Sequence, residues 1–256
     1  MGWGLGKGWG LDALPTCTQQ YCDPASLVLF WASGTSTTSA LTDFESEFFK
    51  DSTDKNPFAF PSETPSVLRV VKNCSEIFHP HKSESNYKRV PHWKAYMKSE
   101  GIVENVVHFE HTRAGIIFPG ATRVLLLRDN IKTFLENETS PKHRSVLFDL
   151  NDHLCNNELI GVAVFDVLVV DALWRRFYGE AVNGVYVKKK VHMLDIAEDL
   201  NSLRNYLRKM VENSIPMLEG MSPFKDAYLN RERINAVMAK VPEDETARYI
   251  VRFQMV

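Results

Sequence analysis

The chain has 256 residues, enough for one large domain or two small ones with a real core. Its hydrophobic fraction of 44% and charged fraction of 24% are those of an ordinary globular protein. A formal net charge of −2 excludes any global attraction to nucleic acid or to an acidic membrane, so such binding has to come from a local patch.

Residues 1–64 differ in texture from the rest. They open with glycines, continue through Ser33-Gly-Thr-Ser-Thr-Thr-Ser39 and carry Pro57 and Pro61, with Pro65 just beyond. Such stretches do not nucleate long helices, and freezing their backbone costs much entropy. The expectation is a loosely ordered leader. Within it Leu27–Trp31 reads as a short buried strand, and Phe44, Phe48 and Phe49 stand at helical spacing. The glycine-rich start lacks the apolar run of a signal peptide, and Gly6 stands where a myristoylation signal wants Ser or Thr.

A helical domain is expected over 65–256. Val67, Leu68, Val70, Val71, Cys74, Ile77 and Phe78 recur at helical spacing between Pro65 and Pro80. A short helix follows over His92–Glu100, with Gly101 in the left-handed position past its end. Val103–Phe109 and Gly115–Phe118 read as brief extended runs. From Pro119 the pattern is helical again, with Val124, Leu127, Ile131, Phe134 and Leu135 on one face until Asn137, Ser140 and Pro141. A second helix carries Val146, Leu147, Leu150 and Leu154. A third runs from about Asn157 to Tyr178, apolar nearly all round at its centre, so Asp166 and Asp171 need partners there. Its apolar run, Ile160–Trp174, is short of the ~20 residues of a membrane span. Gly179 and Gly184 frame a turn. One long helix is expected over Asp195–Leu218, with a stripe of Ile196, Leu200, Leu203, Leu207 and Met210 that serves either as core or as a partner-facing seam. Gly220 and Pro223 close it, and a last helix lies near Asn230–Lys240.

Four scattered cysteines, Cys17, Cys22, Cys74 and Cys155, do not form a disulfide scaffold and suit a reducing, intracellular setting, nuclear or cytoplasmic. His79 and His81 flank Pro80, which prevents a helical ligand pair. His108 and His111 sit in a sequence that favours extended chain, where they face opposite sides. Asp149 and Asp152 with His153 beside them could serve a divalent cation, and so could Asp166 and Asp171. On a regular helix the last two are about 140° apart and do not converge. An ion pair of Asp171 with Arg175, four residues on, is the simpler account. No phosphate-binding loop, dinucleotide fingerprint or nucleophile elbow is present, and no cofactor is expected.

The strongest binding feature is basic. Arg175, Arg176, Lys188, Lys189 and Lys190 flank the 179–184 turn, interleaved with Trp174, Phe177, Tyr178 and Tyr186. Cations for phosphates and aromatic faces for bases are what single-stranded nucleic-acid sites use; the alternative is a solvated helix end.

The stretch His108-Phe-Glu-His-Thr-Arg-Ala-Gly-Ile-Ile-Phe118, followed by Val124-Leu-Leu-Leu-Arg-Asp-Asn-Ile-Lys-Thr-Phe-Leu135, resembles hAT-type transposase-derived proteins. In that family a Thr-Arg-Trp-type motif precedes a helix ending in a similar pattern, and a helical insertion then interrupts an RNase H-like domain. The resemblance covers about residues 66–240. It implies that Thr112-Arg113 is the motif and Val146–Leu218 the insertion. Ala114 stands where the family has Trp, and no residue here matches the family's catalytic carboxylates.

The expected fold is therefore mainly α, a helical bundle behind a loosely ordered N-terminal segment, in the frame of a remnant of an RNase H-like α/β domain. The expected function is nucleic-acid or protein binding without catalysis. The basic turn would meet DNA, or the Ile196–Met210 face would meet another protein or a second copy, with no membrane partner. A metal-dependent nuclease or hydrolase built on Asp149, Asp152 and the histidines is the competing reading.

Overall fold

The computed structural model describes residues 56–58, 66–79, 89–103, 106, 117–178, 181–182, 185–186, 193–213 and 215–242. Apart from 56–58, the expected leader, its Leu27–Trp31 strand and its phenylalanines lie outside these residues.

Helix α1 (Ser66–Phe78) forms where the apolar spacing places it, with Val67, Val70, Val71, Cys74, Ile77 and Phe78 buried and Leu68 half-buried against the core. It also buries Ser66, Arg69, Asn73 and Ser75, so it is enclosed on more sides than an amphipathic stripe requires. Helix α2 (Arg89–Ser99) starts three residues before the expected His92. Its end is a Schellman motif. Gly101 takes φ 67°, its N–H donates to Lys98 O, and Ile102 N–H donates to Met97 O. Trp93, fully buried, anchors α2 with ring centroids 4.3 Å from Phe78 and 5.1 Å from Phe134.

Ile117 and Phe118 are not extended. They open α3 (Ile117–Leu126), where Pro119 falls in the first turn and removes no helical hydrogen bond. Leu127 (φ −94°, ψ 4°) divides α3 from α4 (Arg128–Leu135). Helix α5 (Pro141–Asn151) begins at Ser140, whose hydroxyl accepts from His143 N–H, with Pro141 in the first turn. Its C-terminus is held by the Arg128 guanidinium, which donates twice to Leu150 O. Leu154 belongs to the next helix, because Asp152 interrupts the chain and caps α6 (His153–Phe165) through Cys155 N–H at 2.9 Å.

The third expected helix is a composite. After α6 comes a π-turn, Asp166–Val170, in which Asp171 N–H donates to Asp166 O five residues back, and then α7 (Asp171–Tyr178). Two-residue strands β1 (Ala181–Val182) and β2 (Val185–Tyr186) pair antiparallel, with Ala181 opposite Tyr186 and Val182 opposite Val185. Among the described residues they are the only sheet, so no RNase H-like mixed sheet is present there. The expected long helix is two. Helix α8 (Met193–Glu212) ends before Asn213, whose side chain accepts from Ile215 N–H to start α9 (Ile215–Leu218). Pro216 therefore sits in a first turn and kinks nothing. Gly220 (φ 83°) closes α9 in a second Schellman motif, and α10 (Arg231–Met238) is capped by Asn230.

The result is a mainly α bundle. The α6–π–α7 rod runs through its centre, α3 lies along α6, α1 packs on α2, α3, α5 and α6, and α10 lies across α3, α6 and the π-turn. Among the described residues no helix is long and apolar enough to cross a membrane. The approach of α1 to α3 depends on Gly120, where an added Cβ would stand 2.6 Å from Val71 Cγ1. The β-branched Val71 has little rotamer freedom with which to yield. Gly120→Ala is expected to lose about 1–3 kcal/mol in urea unfolding through overpacking. The Gly120→Ala/Val71→Ala pair should be more stable than the sum of the single losses; strict additivity would mean that the two positions are not in contact.

Candidate nucleic-acid interface

Among the acidic candidates, Asp149 is 2% exposed and committed to internal bonds. Arg69 grips it bidentately, Nε to Oδ2 at 2.8 Å and Nη2 to Oδ1 at 2.7 Å, and Asn56 Nδ2 donates to Oδ1 at 2.7 Å. Burial raises its pKa above the usual carboxylate value, against the lowering effects of Arg69 and Asn56. Asp152 serves as a helix cap, while His153 and His92 are exposed. His81, His108, His111, Thr112, Arg113 and Ala114 lie outside the described residues. Among those described, no three His, Cys, Asp or Glu side chains are grouped to hold a metal ion.

Asp166 and Asp171 behave differently from the expectation of a regular helix. The Asp171–Arg175 pair is present at 2.9 Å. The extra residue of the π-turn, however, also brings both carboxylates to one side. Arg233 of α10 reaches between them, 3.5 Å from Asp166 Oδ2 and 3.8 Å from Asp171 Oδ1. Thr122 Oγ1 donates to Asp166 Oδ2 at 2.6 Å. Burial raises the Asp166 pKa to about 6; Arg233 and Thr122 oppose the rise, Asp171 adds to it, and Arg123 opposes it. The cluster ties α3, the central rod and α10 together. A buried Glu158, accepting from Ser66 Oγ at 2.5 Å, similarly ties α6 to the start of α1. Nothing in the local sequence around Glu158 or Arg233 marks either for such a role, since their partners are remote in the chain.

At the basic edge, Arg175 pairs with Asp171, and Arg176 pairs with Asp199 while its guanidinium lies 5.2 Å from the Tyr228 ring centroid. Trp174 packs against the core. Lys188, Lys189 and Lys190 lie outside the described residues, as do the side chains of Phe177, Tyr178 and Tyr186. The Ile196–Met210 stripe turns inward where it is described. Leu203 is 3% and Met210 5% exposed, in the chain's own core, and Leu200 and Leu207 are half-buried. Leu203 and Met210 are thus covered from within the chain.

The opposite face of α8 is polar and exposed: Glu198, Asn201, Ser202, Arg204, Asn205, Arg208 and Lys209. Its signal was in the sequence, because these positions alternate with the apolar stripe, and Arg204 and Arg208 stand one turn apart. Arg204, Arg208 and Lys209 have no carboxylate partner among the described residues. No protein-family model, curated protein or solved structure matches the chain.

Proposed function

We propose that this chain is a non-catalytic helical protein, derived from a hAT-type transposase, that binds nucleic acid through Arg204, Arg208 and Lys209 on α8 together with Lys188, Lys189 and Lys190 of the preceding sequence. The observation that carries the reading is the exposed face of α8. Three cations without a carboxylate partner among the described residues stand there beside Asn and Ser side chains, with Glu198 the one described exposed acid on that face. Cations that the fold does not use are free to neutralise phosphates, and amide side chains can meet sugar or base edges. Arg175 and Arg176 then have a supporting role, since their guanidinium groups hold the edge to the bundle through Asp171 and Asp199. The lack of catalysis rests on the acids: Asp149, Asp166 and Asp171 are each engaged by an arginine of the chain itself.

The test leaves Arg175 and Arg176 intact, because reversing them would strip carboxylates of their partners. Lys188, Lys189, Lys190, Arg204, Arg208 and Lys209 are replaced together by Gln. Wild type is expected to bind DNA with a salt-dependent affinity, and the variant to lose about a hundredfold in affinity at low salt with a shallower slope of log K against log salt. A folded variant that binds as wild type does, or a wild type that binds neither single- nor double-stranded nucleic acid at about 50 mM salt, removes the proposal.

A further inference from the structure

Apart from the basic residues, a short piece of the chain itself is bonded to helix α5. Residues 56–58, Asn-Pro-Phe, fold as a turn against α5. The Asn56 amide is used completely. Its Nδ2 donates to Asp149 Oδ1 at 2.7 Å, to Ser145 O at 3.1 Å and to Ser145 Oγ at 3.2 Å. Its Oδ1 points back and accepts Phe58 N–H at 2.9 Å, closing the turn. Pro57 fixes the backbone angle that the second turn position needs. The Phe58 ring, 37% exposed, lies 5.7 Å from the Arg144 guanidinium.

We infer that the α5 face formed by Arg144, Ser145 and Asp149 is a recognition site for an Asn-Pro-Phe turn of a peptide, with residues 56–58 as its resident occupant. Three properties support this. The acceptor set is selective: a buried carboxylate beside a backbone carbonyl and a hydroxyl wants two N–H donors on a short stem, which Asn supplies, while Asp would bring a second negative charge and Gln is one methylene too long. The occupant is also self-organised, since Pro57 and the Asn56–Phe58 bond shape the turn before it docks and so lower the entropy of binding. Finally, the hydrogen bonds and the ring contact that hold Asn56 and Phe58 to the bundle all end on α5. The same triplet on another chain can therefore make the same bonds. Asn56-Pro57 is the one Asn-Pro dipeptide in this sequence, so a competing ligand has to come from elsewhere. The site is independent of the basic edge on α8.

Peptide 53–61 is titrated to about 1 mM into the full chain carrying Asn56→Ala, with the Ser145 and Asp149 backbone amides followed by NMR. These amides are expected to shift saturably. Wild type should respond about tenfold more weakly, because its tethered occupant competes at an effective concentration of the order of 1 mM. The same peptide with Asp in place of Asn should produce no shift. A Phe58→Ala chain, which keeps the Asn56 donors and guards against misfolding of the first variant, should bind the peptide more tightly than wild type. Folded variants whose Ser145 and Asp149 amides do not move, or equal responses to the Asn and Asp peptides, overturn the inference.

Discussion

Replacing Arg69 with Met is expected to lower stability by about 3–5 kcal/mol, read as a shift of the urea midpoint at unchanged slope. The side chain is of similar length and apolar, so the loss comes from what it leaves behind. Asp149 would remain buried with one charged partner removed and only the Asn56 amide to replace two guanidinium bonds. Burial already raises the carboxyl pKa against the pull of Arg69, so without Arg69 the group is driven further toward its protonated form. The Arg69→Met/Asp149→Leu double variant is the informative control. An ion pair replaced as a unit by apolar groups is often neutral, so the double variant should recover most of the loss, short of what the stranded Asn56 and Ser145 groups cost. A single variant that loses under about 1 kcal/mol would mean that water reaches Asp149 and that the pair behaves as a surface bridge.

The same residues show how far the sequence could be read. Helices α1 and α5 were legible because their apolar positions keep one phase and their ends carry local signals, Pro65 and Pro80 for one and Ser140-Pro141 for the other. Gly101 and Gly220 marked their Schellman ends for the same reason: the left-handed position is a property of one residue. Interruptions that depend on a single cap were missed. Asp152 and Asn213 each stop one helix and start the next through a side-chain bond, inside stretches whose hydrophobic spacing continues past them. The π-turn was illegible for another reason. A helix apolar on every side gives no phase, so one extra residue between Asp166 and Asp171 leaves no trace in the pattern. The Asn56 turn lies in a stretch whose composition reads as leader, and its acceptor Asp149 is 93 positions away. At the basic edge the cations were visible as a cluster. Which of them the fold consumes was not, because Asp199 and Tyr228 come from segments that no local spacing connects to Arg176.

Arg233→Met is expected to destabilise the chain more at pH 7.5 than at pH 5, and that sign distinguishes the α10 latch from simple packing. In the folded chain Asp166 holds its proton up to about pH 6, against an ordinary value of 3.8. Between these values the unfolded chain has released the proton while the folded chain retains it. The folded state therefore binds more protons, and this group's contribution to stability falls as pH rises through the window, by about 3 kcal/mol in all at ~1.4 kcal/mol per unit. Below about pH 4 the contribution is fully present; above pH 6 it has been lost, and Arg233 limits the cost of the ionised state. Without Arg233 the carboxyl pKa moves still higher, so the window of falling stability extends toward neutral pH. At pH 7.5 the variant should lose about 3–5 kcal/mol, the scale for one partner removed from a buried pair. At pH 5 the loss should be clearly smaller, because Asp166 is already neutral and Asp171 keeps Arg175. Asp166→Asn supplies the reference: the difference between wild type and this variant should carry the pH 4–6 slope, and adding Arg233→Met to it should cost nearly the same at both pH values. An Arg233→Met loss that is equal at pH 5 and 7.5 in the wild-type background would assign the arginine to packing of α10 alone.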